Sequence, residues 1–117
     1  MAAPLQAERL RLEGRAGALE ALIETPATDD SVSAGAFGVV CHPHPLYGGT
    51  MDNKVVWALA RTFQQLGAPT IRFNFRGVGT SPGTHDSGLG EADDSLAMIA
   101  YGRQRWPGAA LDRKSVV

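Results

Sequence analysis

Cysteine is nearly absent: Cys41 stands alone in 117 residues, so no disulfide can close within the chain. Thiol usage of this kind suits a reducing compartment, and a cytoplasmic location is expected. Charge of neither sign accumulates, since 11 Lys and Arg face 12 Asp and Glu for a net charge of −1. Nucleic acid and anionic membrane surfaces are recognised by clustered cations, so neither is expected as a partner. No apolar run approaches the ~20 residues of a membrane span. The opening stretch, Met1 to Gly14, carries acidic residues and no apolar core, and does not read as a secretory signal. Disorder is not expected either, at 44% hydrophobic and 20% charged residues, and the length leaves room for one domain at most.

What is present is glycine and proline at particular places. The stretch Phe37 to Gly49 reads F-G-V-V-C-H-P-H-P-L-Y-G-G, a short apolar run that ends in two His-Pro pairs and a Gly-Gly. Pro43 and Pro45 fix their own φ, carry no N–H, and bias His42 and His44 towards extended geometry. From His42 to Leu46, only His42, His44 and Leu46 keep a backbone donor. A rigid loop with few free amides at a strand end can bind developing negative charge. It can equally be a Pro-rich strand exit without chemistry.

Around this stretch the pattern predicts β-β-β-α-β-α. Leu10 and Leu12 alternate with charged neighbours, Gly14 to Gly17 is a turn, and Ala18 to Glu24 completes a hairpin. Phe37 to Cys41 is apolar throughout, as in a parallel strand buried on both faces. Asp52 to Gln65 is a helix with Val56, Leu59, Ala60, Phe63 and Leu66 on one face, Thr50 or Asp52 as its cap, and Gly67 at C′. Thr70 to Phe75 is a strand, with Ile71, Phe73 and Phe75 opposite Thr70, Arg72 and Asn74. Arg76 to Gly90 is a Gly-rich loop. Glu91 to Arg105 is a second helix, with Ala92, Leu96, Ile99 and Ala100 as its apolar stripe. Ala109 to Leu111 looks like the start of a further strand. Alternating strands and helices predict a parallel sheet with right-handed crossovers. The last six residues, D-R-K-S-V-V, are what a widely used DNA-sequencing adapter encodes in one frame. Residues 112–117 are therefore expected to be a non-native tail, and the natural chain to run on.

Three motifs invite chemistry. Gly79 to Gly83 matches the G-x-S-x-G nucleophile elbow. Yet the residue after Ser81 is Pro82, which has no N–H to give an oxyanion, and no strand meets a helix there. Ser81 is therefore not expected to be a nucleophile. Gly77, Gly79 and Gly83 loosely match a dinucleotide-binding loop, but no helix opens at the loop to meet a pyrophosphate. His42-x-His44 has metal-ligand spacing but needs a third ligand, and the remaining histidine, His85, lies in another loop. No metal and no cofactor are expected.

Taken together, C-H-P-H-P-L-Y-G-G-T-M-D-N-K-V-V, then R-F-N-F-R-G-V-G-T-S-P-G, then G-E-A-D-D resemble the N-terminal half of the α/β-hydrolase superfamily. The nearest group is the small bacterial hydrolases akin to dienelactone hydrolases and prolyl-oligopeptidase-type domains. The likeness covers roughly residues 5 to 111. In that superfamily the loop after the third strand usually reads His-Gly-x, and the amide of x helps form the oxyanion hole. The resemblance implies that His42-Pro43 stands for His-Gly and that the backbone N–H of His44 is the catalytic donor. Asn74 to Ser81 matches the D-x-R-G-x-G-x-S loop, with Asn for the usual Asp, and implies a loop role for Ser81. The family's nucleophile follows the second helix, with the acid and histidine later, so His85 is not carried over as the catalytic histidine.

The expected fold is thus α/β: the N-terminal part of an α/β-hydrolase fold, a β-hairpin followed by parallel strands with crossover helices, truncated within one domain at 1–111. The expected function is that of a serine-type hydrolase fragment, its parent cleaving ester, thioester or related acyl bonds of a small-molecule substrate through an acyl-enzyme. The fragment keeps the oxyanion loop, lacks the triad, and is expected to be inactive. Its oligomeric state is left open. The alternative is a standalone α/β binding module without catalysis, with nucleotide binding as a weaker variant.

Overall fold

The computed structural model describes residues 5–26, 36–42, 50–84 and 89–115. Strands β1 (Leu5–Gly14) and β2 (Gly17–Pro26) form the hairpin, in register from Leu5↔Pro26 to Gly14↔Gly17. Gly17 takes φ 126°, and a Cβ there would sit 2.6 Å from Pro82 Cγ, so the turn packs directly on the Gly-rich loop. Strand β3 (Ala36–Cys41), helix α1 (Lys54–Gln65), strand β4 (Thr70–Phe73), helix α2 (Leu89–Arg105) and strand β5 (Ala110–Ser115) follow.

The strands make one sheet in the order β1-β2-β4-β3-β5. It is mixed, as a hairpin joined to a crossover unit requires: β1-β2 and β2-β4 are antiparallel, β4-β3 and β3-β5 parallel. From β3 the chain crosses to β4 on one side, then passes back over β3 to reach β5. That reversal is a topological switch point, and ligands in open α/β sheets bind outside the carboxyl ends of the strands there. The last strand is longer than the sequence pattern indicates. Instead of ending at Leu111, its backbone stays paired with β3 through Val40↔Lys114 and Cys41↔Ser115.

Alternation along β3 sorts the core onto two faces. Phe37, Val39 and Cys41 join Leu19, Ala21, Ile23, Ile71 and Phe73 beneath Met98 and Ile99 of α2. Val40 points the other way, onto Val56 and Ala60 of α1. The continuous apolar run is therefore buried on both faces, as expected of an interior parallel strand. Helix α1 is capped by Asn53, whose side chain accepts from the amides of Val55 at 2.9 Å and Val56 at 3.4 Å, rather than by Thr50 or Asp52. At its other end Gly67 (φ 88°) donates to Gln64 O and Ala68 to Phe63 O, both at 3.0 Å, a Schellman closure.

Helix α2 departs most from its expected face. Leu96 is 61% exposed, and Ala92 and Ala100 are exposed as well. The buried side is Gly90, Glu91, Asp94, Ser95, Met98, Ile99 and Gly102. Small and polar residues face inward because α2 rests on the Gly-rich loop as well as on the sheet. A Cβ at Gly102 would overlap the ring of Phe37, and one at Gly90 the guanidinium of Arg76. Ala is the better helix former by about 1 kcal/mol, so Gly102 is tolerated for close approach, not propensity. Gly102→Ala is accordingly expected to lower unfolding stability by about 1–3 kcal/mol, the overpacking cost exceeding the propensity gain. Urea unfolding measures it, and a stabilised variant would contradict this packing.

Candidate functional site

Strand β3 ends at Cys41 and His42, beside the exit of β4 at Asn74 and Phe75. His42 is buried, and its Nε2 accepts from the Phe75 amide at 3.0 Å. An acceptor at Nε2 places the proton of the neutral ring on Nδ1. The imidazole also meets the Phe75 ring edge-on, at 4.7 Å between centroids. It is thereby a structural group fastened to the next strand. Among the described residues no cluster of three His, Cys, Asp or Glu suits a metal ion. His44, the expected donor, and His85 lie outside the described residues.

The far flank is Met51, 1% exposed. Its amide donates to Asn74 Oδ1 at 2.8 Å, and its carbonyl accepts from Arg72 Nη1 at 2.9 Å. Arg72 is in turn held by Glu24, with both Nε and Nη2 at 2.9 Å from Oε1. His42 and Met51 are thus both bonded to residues 72–75 of β4 and its exit.

Asn74 is the crossing point. Its Nδ2 donates to Glu20 Oε1 at 2.8 Å, its backbone N–H to Glu20 O at 2.9 Å, and its carbonyl accepts from Ser81 Oγ at 2.7 Å. Ser81 Oγ also accepts from the Glu20 amide at 2.8 Å. Ser81 is buried, with its proton given to a carbonyl, so it latches loop to hairpin. The glycines of the loop serve the same closure. Gly77 (φ 78°) donates to the carbonyls of Ser81 and Pro82, and Ser81 to Val78 O, so these amides point into the turn and not at a phosphate. At Gly79 (φ 55°) a Cβ would come within 2.6 Å of both Asn74 Nδ2 and Glu20 Oε1.

Asp94 fixes the loop to α2. Fully buried, its carboxylate takes the Arg76 amide at 2.9 Å, Nε at 3.2 Å and Nη2 at 2.8 Å. A fork of this kind is about twice as strong as neutral hydrogen bonds. The sequence pattern alone gives Asp94, Glu20, Arg72 and Met51 no role at the site. The one available signal was that an acid three residues beyond Glu91 shares a face with Gly90 and Met98.

The amide of Thr80, at 3.0 Å from Oε1, and the Asn74 side chain hold the Glu20 carboxyl below its ordinary value of 4.5. A depressed folded-state value means stability present above pH 4.5 and lost as pH falls through that lower value. Glu20→Gln is expected to flatten this acid limb in thermal unfolding followed against pH. Asn74→Asp would set two carboxylates at hydrogen-bond distance, where they must share one proton. Its unfolding midpoint is expected to drop at pH 7, recover near pH ~5, and be restored at pH 7 by adding Glu20→Gln. A single variant indistinguishable from the parent at pH 7 would contradict the Asn74–Glu20 contact.

No family model matches the chain. It is similar to a solved α/β serine hydrolase homologue from Coxiella burnetii, with 41% identity and a TM-score of 0.85, over 92% of this chain and 50% of that one. A solved α/β serine hydrolase without lid from Xanthomonas campestris gives 37% identity and a TM-score of 0.87, over 98% of this chain and 52% of that one. An uncharacterized protein of Rickettsia prowazekii is 45% identical over 71 residues, 61% of this chain and 30% of that protein. The chain spans about half the length of the solved structures it matches. It has the fold of the N-terminal half of the α/β serine hydrolases.

Proposed function

We propose that this chain is the N-terminal half of a serine hydrolase that cleaves ester, thioester or related acyl bonds of a small molecule through an acyl-enzyme, and that it supplies the oxyanion-hole loop. The observation that carries this reading is that His42 and Met51, on either side of residues 43–49, both bond the exit of β4 at the sheet's switch point. Attack on an acyl carbon puts negative charge on the carbonyl oxygen, and a backbone N–H already fixed in direction stabilises that charge without reorganising. The family resemblance assigns the donor to the His44 amide, and Pro43 and Pro45 on either side have no N–H to give. Likeness to solved serine hydrolases at 37–41% identity supports the same chemistry. The nucleophile, acid and base fall to the second half of the fold, and residues 112–117 to a non-native tail.

Resequencing the source locus is expected to reveal a G-x-S-x-G strand-turn-helix within about ten residues of Leu111. A native stop codon directly after Val117 would count against it. A fluorophosphonate is expected to label that serine in the full-length protein and to leave Ser81 unlabelled. His44→Pro removes the donor and should lower kcat about 10²–10³-fold, whereas His44→Ala keeps the amide and most of the activity. Equal losses in both variants would sink the backbone assignment.

A further inference from the structure

We propose that the outer edge of β1 pairs antiparallel with β1 of a second copy of this chain, in a register centred on Arg11. Strands β1 and β5 are the two edges of the sheet, with β2, β4 and β3 between them. On the β4 side of β2, Glu20 O accepts from the Asn74 amide at 2.9 Å. An antiparallel ladder alternates its direction, so Leu19 and Ala21 are the residues that bond β1, through Leu12 and Leu10. The N–H and C=O groups of Arg9, Arg11 and Glu13 therefore point outward, where no described strand meets them. A row of this kind is a template for one more strand.

Side-chain chemistry selects the occupant. In a two-fold strand pair the opposed residues share a face, so only registers centred on a residue are open. Centring on Arg9 or on Leu10 sets arginine against arginine and Glu8 against a leucine. Centring on Arg11 sets Arg9 opposite Glu13 twice and Leu10 opposite Leu12 twice. The two Arg11 guanidiniums do not meet, because each is drawn over its own sheet by Thr80 and the Ala18 carbonyl. Leu10 and Leu12 pack against the core under α2 and yet stay half-buried, so the pairing completes their burial. A groove of about 600 Å³ opens between β1 and α2, and its lining includes Leu12, Glu13, Ala97, Ala100 and Tyr101. The two-fold runs normal to the sheet and keeps both α2 helices on one face, so groove meets groove.

Sedimentation equilibrium of the full-length protein is the test. Wild type should associate to a dimer, and Arg9→Glu or Glu13→Arg alone should weaken association about tenfold, since like charges then face each other. The double variant, Arg9→Glu with Glu13→Arg, exchanges the partners and should recover association to within about threefold of wild type. Arg9→Pro removes an outward amide, leaves the β1–β2 ladder intact and should also weaken the dimer. Should that variant not fold, a cross-link reads the register instead. Arg11→Cys, at the two-fold, should form a disulfide with its own copy on oxidation, and Arg9→Cys, out of register with itself, should not. The proposal is overturned if wild type stays monomeric, which leaves the edge to a strand of another protein. It is equally overturned if the dimer ignores both charge reversals, if the double variant associates no better than the single ones, or if Arg11→Cys fails to cross-link.

Discussion

Three segments meet at one residue, two through its side-chain amide and one through its backbone carbonyl. Asn74 joins the hairpin through Glu20, the loop after β3 through Met51, and the Gly-rich loop through Ser81. Of these, Met51 and Ser81 lie outside any helix or strand, so side-chain and turn hydrogen bonds hold them to Asn74 and the hairpin there. Hydrogen bonds to a charged group contribute about 1.5–3 kcal/mol, and a buried polar atom left unpaired costs a comparable amount. Such a junction is therefore held all or none. Every partner also has a further reason to stay: Glu20 is in β2, Ser81 ends a turn closed by Gly77, and Met51 is buried.

Around that junction the sheet divides its work between two faces. Beneath α2 lies the larger apolar cluster, where Gly102 lets Phe37 approach and Trp106 stacks on the same ring at 5.5 Å. On the opposite face, α1 covers Val40 with a smaller cluster, and polar pairs complete it. Gln64 Nε2 donates to Thr70 Oγ1 at 2.9 Å, and Arg72 bonds Glu24. A buried ion pair adds little stability over an apolar pair, but removing one partner strands the other charge. Here the Arg72 guanidinium also reaches the Met51 carbonyl, so the pair fixes a loop flank as well as filling space.

Much of this was legible beforehand. Apolar alternation located the hairpin and β4, a continuous apolar run located β3, and the His-Pro pairs marked where β3 must stop. Pro82 and the absence of a strand–helix junction argue against Ser81 as a nucleophile, and the hydroxyl's two hydrogen bonds accompany its burial. Of the stripe expected on helix α2 only Ile99 is buried, because hydrophobic counting assumes that the buried face is the apolar one. Its inward face instead carries glycines and Asp94, since it packs against a loop guanidinium.

Sequence by itself determined the order of elements, the burial of β3 on both faces, and the donors that proline removes from the loop after it. These are local properties: side-chain period, fixed φ, and a missing N–H act within a few residues. Only the tertiary structure decided that Glu20 orients Asn74, that Asp94 receives Arg76, and that His42 and Met51 are held by neighbouring residues of one strand exit. Each of those pairs joins residues 18 to 54 positions apart, and a hydrogen bond over such separation is specified by register and crossover geometry, which no local pattern encodes.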